Sequence, residues 1–490
     1  MRRLRSSLLL YCVLAIPLFG QQPASAPKRP NVLFLLADDL GYRELGSFGQ
    51  QKIRTPHLDA LARDGMRLTR HYSGSPVCAP SRCVLMTGKH PGHAAARDNK
   101  EAQPEGQWPL PAGDTLLPAV LDGAGYATGA FGKWGLGMFG SSGDPLQRGF
   151  DRFFGYNCQR HAHTYWPSYL YDNAARIELQ NRPPVPGGGK LRDGDDPADP
   201  QSYARFQGTD YAPNRIRDAA LQFVRDHARE PFFLFYPSTL PHLALHVPDA
   251  ATKEYAGKFP ETPYTGGNGY TPHPTPRAAY AAMITRLDAE VGALVGLIDE
   301  LGLGENTLVV FTSDNGATHS PVGGTDVDFF ASCGELRGRK GSMYEGGIRV
   351  PAIVRWTGQI AKGSTSDRVS GFEDWLPTLA AVCGVEAPTG DGVSLLPTLL
   401  GEAQPARPFL YREFAGYGGW QAAWVGDHKL VRRNLQKGPA VTELYDLAAD
   451  PAEAHDLAAT QAERVRELTA LLAREHVPST TFPLATIDPK

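Results

Sequence analysis

Uninterrupted apolar runs alternate along the chain with segments whose apolar positions recur every three or four residues. Asn31-Val-Leu-Phe-Leu-Leu36 is apolar along nearly its whole length and ends in Ala37-Asp38-Asp39, which predicts a strand covered on both faces with acids at its carboxyl end. Ala127–Gly132, Phe232–Tyr236, Thr307–Thr312 and Val350–Trp356 read the same way. Between them, Thr55-Pro56 opens a helix that carries Leu58, Leu61 and Ala62 on one face and stops at Gly65. Leu116–Ala124, Ile216–His227 and Arg277–Leu301 keep the helical period as well. Strands alternating with helices predict an α/β fold, a large doubly wound and mostly parallel sheet flanked by helices. In such a sheet, functional groups gather at the carboxyl ends of the strands.

Residues 183–213 and 258–276 are rich in proline, glycine and polar side chains and predict long loops. From Pro405 the pattern shortens. Trp420–Val425, Lys429–Arg433 and Thr442–Leu447 read as short strands, and Val465, Leu468, Leu471 and Leu472 share one face of a closing helix. A smaller C-terminal α+β subdomain, an antiparallel sheet plus a helix, is therefore expected over 405–490, after a main domain over 27–404. The first residues follow another logic. Met1-Arg-Arg-Leu-Arg5 is basic, Leu8 to Phe19 is apolar, and Ala24-Ser25-Ala26 offers small residues for cleavage. That order predicts a signal peptide over 1–26 and a secreted or periplasmic protein. No run approaches the roughly 18 apolar residues of a spanning helix, so stable membrane insertion is not expected.

Charge and cysteine content narrow the function further. The chain carries 49 Lys+Arg against 52 Asp+Glu, a net charge of -3, and removal of 1–26 takes away three arginines and no acid, leaving -6. Without a Lys/Arg-rich run, nucleic acid is excluded as a main partner. Of six cysteines, Cys12 lies in the leader; Cys78, Cys83, Cys158, Cys333 and Cys383 remain. An odd count leaves at least one thiol outside any disulfide, and the absence of C-x-x-C removes zinc-knuckle and thioredoxin-like readings.

Two strand ends carry the first chemistry. Asp38, Asp39, Asp314 and Asn315 offer carboxylate and amide oxygens with no His or Cys, a donor set for a hard cation such as Ca²⁺ or Mg²⁺. Between them, Cys78-Ala-Pro80-Ser-Arg82 opens an apolar helical stretch, placing a thiol at a helix N-terminus with a cation one turn on, where an anion is stabilised. Gly135-Leu-Gly137-Met-Phe-Gly140 satisfies G-x-G-x-x-G, but Ser141-Ser-Gly-Asp-Pro145 is a poor helix start, which argues against a dinucleotide site.

The segment from Cys78 to Gly88 resembles the signature C-x-P-S-R-x-x-x-L-T-G of the type I, formylglycine-dependent sulfatases, arylsulfatase-like members of the alkaline-phosphatase superfamily, with Met86 at the leucine position. The resemblance runs from about Pro30 to Leu457. It takes in Asn31–Gly41, Gly125–Trp134, Thr312–Gly316 and Gly338–Pro351. It implies hydrolysis of a sulfate ester, and the aromatic segment from Tyr165 to Tyr171 with Trp420 points to a sulfated carbohydrate as the expected substrate. Cys78 would be oxidised to formylglycine by a formylglycine-generating enzyme, and its hydrate would attack sulfur to give a covalent sulfo-enzyme. Ca²⁺ would be held by Asp38, Asp39, Asp314, Asn315 and the group at position 78. Arg82 would hold the hydrate, Lys133 and Lys340 the sulfate oxygens, and His242 would give a proton to the leaving alcohol.

One departure stands out. The family's G-K-W-H-L-G reads Gly132-Lys-Trp-Gly135-Leu-Gly137, so the histidine that usually contacts formylglycine is missing. His161 or His163 is expected to reach the site in its place or to read the substrate. Tyr165, Trp166, Tyr169, Tyr171 and Trp420 are candidate stacking faces for a sugar. A phosphatase or phosphonate monoester hydrolase of the same superfamily is the chemical alternative, though such phosphatases bind two metals through several histidines. A catalytically inactive carbohydrate-binding homologue is the third reading, against which Cys78 and the metal acids are retained.

Overall fold

Four strands whose sequences alternate large apolar side chains on both faces form the middle of the molecule in the computed structural model, which describes residues 29–489. The signal-peptide reading lies outside the described residues. Two sheets are present. The large one contains β1 (Asn31–Ala37), β2 (Met66–Tyr72), β3 (Ala127–Lys133), β4 (Arg152–Tyr156), β5 (Tyr169–Asp172), β6 (Ala175–Glu178), β7 (Phe232–Pro237), β8 (Thr307–Ser313), β9 (Arg349–Trp356), β10 (Ser364–Ser366) and β11 (Ser370–Gly371). Their order is β10-β2-β9-β8-β1-β7-β3-β4-β5-β6, with β11 also on β2. The run β8-β1-β7-β3-β4 is parallel, with Val32 opposite both Phe233 and Leu308. Antiparallel pairings follow on both sides of this run, and on one side β10 and β11 then pair parallel with β2.

Both faces of the parallel run are covered, which is why those strands read as continuous apolar runs. On β1, Leu33, Leu35 and Ala37 enter a core shared with the helices Pro56–Asp64, Ala212–Asp226 and Pro276–Glu300. Val32, Phe34 and Leu36 enter a second core with Cys78–Thr87, Leu117–Gly123 and Trp375–Cys383. The chain beyond Pro405 forms an antiparallel meander of β12 (Leu410–Phe414), β13 (Trp420–Val425), β14 (His428–Arg433) and β15 (Val441–Asp446). The helix Ala462–Glu475 covers one of its faces through Leu468, Leu471 and Leu472. The other face packs on Tyr72, Val77, Met343 and Ile348, residues that flank the loops at the strand ends.

Two features differ from expectation. The strand β2 is hidden in sequence because Arg67, Thr69 and Arg70 interrupt its apolar positions. The segment 183–213 is more than surface loop, since Val185, Leu191, Tyr203 and Phe206 are buried in the core. Cys78, Cys83, Cys158, Cys333 and Cys383 are all free thiols, so no disulfide forms among the described residues. After Gly140 only a 3-10 turn, Pro145–Arg148, follows. Among the described residues no helix is long and apolar enough to cross a membrane.

Candidate active site

Parallel pairing brings the carboxyl ends of β8, β1, β7 and β3 to one edge of the sheet. Asp314 and Asn315 follow β8, Asp38 and Asp39 follow β1, Lys133 ends β3, and His242 lies five residues beyond β7. The neighbouring β2 ends at the same edge, and the chain then enters the helix Cys78–Thr87, all ten residues of which are buried. Since β9 is antiparallel to β8, it starts there, which brings in Lys340 from the preceding loop. Gly341 N–H donates to the Pro76 carbonyl at 2.9 Å, tying the Lys340 loop to the Cys78 loop.

The carboxylates and cations interlock. Arg82, one helical turn after Cys78, donates through Nε and Nη2 to Asp314 Oδ2 at 3.0 and 2.9 Å, and through Nη1 to the Lys133 carbonyl. Lys133 Nζ donates to Asp38 Oδ2 at 2.6 Å, and Lys340 Nζ to Asp39 Oδ2 at 2.7 Å. The Cys78 thiol lies 3.4 Å from Asp38 Oδ1 and 3.7 Å from Lys340 Nζ. Asp39 adopts a left-handed backbone, φ 67°, a strained conformation of the kind that clusters at sites; its N–H meets Asp314 Oδ1 at 3.2 Å.

Burial and neighbouring charge set the protonation states. Burial alone would raise Asp38, but Lys133, His242, Arg82 and Lys340 hold it well below the usual carboxylate range. Asp39 is lowered in the same way, against burial, chiefly by Lys340 and His242. Asp314 is pushed up to about 6 by burial and by the charge of Asp38, which Arg82 offsets only in part. Burial, then Asp38, pushes the Cys78 thiol far above its ordinary value, which leaves an unmodified thiol protonated and a poor nucleophile.

These residues fit a hard cation. Three buried carboxylates converge, and the buried Asn315 Oδ1 has no hydrogen-bond partner while its Nδ2 donates to Asp39 Oδ1 at 2.7 Å. An oxygen acceptor left unpaired among carboxylates is the donor set of Ca²⁺. Ligand atoms of Asp38, Asp39, Cys78 and His242 lie within 4.8 Å of one another.

Above this cluster lies a cavity of about 240 Å³ lined by Cys78, His163, His242 and Lys340. Its wall also includes Asn99, Gln107, Gln159, Tyr270, His319 and Tyr417, none of which any local sequence signal marks. His242 is pushed down to about 4 by burial and Lys340. Its Nδ1 donates to the Leu243 carbonyl, which leaves Nε2 free 3.6 Å from Asp39 Oδ2. His163 stacks on His242 with ring centroids 4.8 Å apart. The expectation for His161 is corrected: it turns away into Tyr156 and Tyr169, at 5.2 and 4.4 Å, because that aromatic pocket buries its ring. The stacking candidates are corrected too. Tyr165 and Trp166 are fully buried, Tyr169 and Tyr171 donate to Glu105, and Trp420 packs on Tyr344. None of the five lines the cavity.

Residues 30–385 match the Sulfatase family. The chain belongs to the sulfatase family. Residues 338–477 also match the C-terminal region of N-sulphoglucosamine sulphohydrolase. This sulfatase is 32% identical to mouse steryl-sulfatase, over 90% of the chain and 81% of that protein, and 33% identical to human N-acetylgalactosamine-6-sulfatase, over 84% and 73%. Among solved structures it is similar to Ps i-CgsB in complex with k-i-k-neocarrahexaose, with a TM-score of 0.71, 25% identity and 91% of each chain covered.

Proposed function

We propose that this sulfatase is a secreted or periplasmic enzyme that hydrolyses the sulfate ester of a sulfated carbohydrate, with Cys78 matured to formylglycine and one Ca²⁺ as cofactors. The observation that carries the reading is the placement of Cys78. It opens a buried helix at the floor of a polar cavity, 3.4 Å from a metal-type carboxylate and 3.7 Å from a lysine. When present, formylglycine supplies a hydrated aldehyde as nucleophile and Ca²⁺ a Lewis acid. Asp38, Asp39, Asp314 and Asn315 would hold the ion.

The chain's own residues supply the rest. Lys133 and Lys340 stand on opposite members of the Asp38–Asp39 pair and offer fixed positive charge to an entering sulfate. Arg82 is locked by Asp314 beside the first helical turn and orients what position 78 bears. His242 Nε2, the ring nitrogen not engaged by Leu243, is the atom that would pass a proton to the leaving oxygen; the neutral ring keeps its own proton on Nδ1, so Nε2 must first take one up. The carbohydrate reading draws on two relatives, one named for an N-acetylgalactosamine sulfate and one solved with neocarrahexaose. Mass analysis of the Cys78 peptide after co-expression with a formylglycine-generating enzyme, paired with sulfate release from a panel of sulfated sugars, tests it. Replacement of sulfur by oxygen at residue 78 and release from at least one sugar are expected; an unmodified thiol with no release overturns the proposal.

A further inference from the structure

The cavity has two chemically distinct sets of lining residues. Cys78, His163, His242, His319 and Lys340 belong to the reacting centre or stand beside it. Asn99, Gln107 and Gln159 are neutral amides, and the charged residues among them, Glu101 and Arg160, pair with each other at 3.1 Å. A hairpin with Glu101 bridged to Gln107 presents part of this set.

Two of the amides carry an unmet hydrogen-bonding requirement. Gln107 and Gln159 are 3% and 6% exposed, and the side-chain carbonyl of each is buried with no donor. Buried acceptors are rarely left unpaired, so an ordered water or a ligand donor completes them, and both residues line the cavity. The orientation of Gln159 is fixed by a chain of bonds. Ala79 N–H donates to Asn99 Oδ1 at 3.1 Å, so that atom is the Asn99 oxygen. Gln159 Nε2 donates to the same oxygen at 3.0 Å, so the unpaired atom of Gln159 is its oxygen. The residue beside the nucleophile thereby dictates which end of the amide is left for a ligand.

Gly135 makes room for this arrangement. Its φ is +77°, and a Cβ built on it would lie 3.0 Å from Gln159 Oε1. Gln159 thus stands where a side chain at 135 would point.

We propose that Gln107 and Gln159, with Asn99 behind them, form the subsite for the leaving group, and that they take hydroxyl donors of an uncharged sugar ring beside the sulfated carbon. The assignment rests on the sulfatase reading above. A steroid or plain aryl leaving group brings no donor to either carbonyl, whereas a polyol does.

The test compares a sulfated N-acetylgalactosamine, its analogue lacking the neighbouring hydroxyl, and 4-nitrophenyl sulfate, with wild type, Gln107→Leu and Gln159→Leu. Each hydrogen bond lost corresponds to about a tenfold change. Each variant is expected to lose about tenfold more kcat/KM on the sugar than on the aryl ester, mainly through KM. The deoxy analogue is expected to be about tenfold worse for wild type and to show no further loss for whichever variant removed its partner. Equal losses on sugar and aryl ester, or a deoxy analogue turned over by wild type as well as the parent sugar, overturn the subsite. That last comparison needs no variant and so survives a folding failure. Turnover of the aryl ester alone by wild type overturns the subsite but leaves the sulfatase reading, and release from no substrate overturns both.

Discussion

Arg82 shows how much one side chain can settle. It is 1% exposed, and its guanidinium spans Asp314 and the Lys133 carbonyl, so it fixes two strand ends against the helix that opens at Cys78. Lysine cannot reproduce that fork. Arg82→Lys is expected to lower kcat/KM at least about 100-fold and to lower the melting temperature as well, measured by sulfate release and thermal unfolding; near-parental turnover would remove Arg82 from the machinery. Glu290 gives a cleaner view of burial. Its carboxyl is pushed up to about 7 by burial, with Tyr236 O–H at 2.9 Å and Oε1 unpartnered. The folded state holds this proton more tightly than the unfolded one, so stability falls as pH rises from about 4.5 to about 7, and the full penalty is present at pH 8. Glu290→Gln is therefore expected to exceed the parent by roughly 3 kcal/mol at pH 8, with the gain vanishing near pH 4. Urea titrations at both pH values check this, and a variant no more stable at pH 8 refutes it. Cys78, Arg82 and the strand-end acids could be read from sequence because their local spacing carries the chemistry. Gln159 could not, since its meaning depends on space left by the distant Gly135, and neither could Gln107, whose place on the cavity wall no local pattern marks.

At the scale of elements, the contact between β3 and β7 decides where Lys133 points. Gly132 has φ +141°, and a Cβ there would sit 2.0 Å from the Pro237 carbonyl. No side chain fits without parting the strands. Gly132→Ala is expected to cost about 3 kcal/mol and to abolish most turnover, because the shift is passed directly to Lys133; denaturant unfolding and sulfate release on the same sample would show both effects, and an active, stable variant would contradict the register. Elements with both faces covered were the readable ones: β1, β3, β7, β8 and β9 fall within a residue or two of expectation. The strands β2 and β10 lie toward the sheet's edge, where partial exposure admits Arg67, Arg70 and serines and erases the apolar signature, while β11 is only two residues long. The helix Trp375–Cys383 is apolar nearly all round because it is enclosed, so it lacks the period that would announce it.

At the scale of the whole molecule, the small sheet acts as a brace for the loops that carry Cys78 and Lys340. Lys429 on β14 is fully buried and meets Glu345 at 2.9 Å and Glu453 at 2.8 Å. Glu345 lies five residues after Lys340, accepts from Tyr72 O–H at 2.8 Å and Trp424 Nε1 at 3.2 Å, and so ties the late loop to the end of β2 and to β13. Arg412 on β12 adds a second tie. It donates to the Ser73 carbonyl at 2.7 Å, in the loop leading to Cys78, and pairs with Glu373 at 2.8 Å. The two loops that deliver Cys78 and Lys340 are thus held by charges from a subdomain that does not line the metal site. Removing one partner of a buried ion cluster leaves the other charges uncompensated, which costs about 3–5 kcal/mol. Lys429→Met is expected to lose that much stability, and at temperatures where it stays folded to lose turnover through a displaced Lys340. Glu345→Gln paired with Lys429→Met should recover part of both losses, since fewer unpaired charges remain buried. Chemical unfolding and sulfate release of the two single variants and the double variant decide it. Additive losses in the double variant would mean that the two residues act independently and that the subdomain is only a neighbour of the active site.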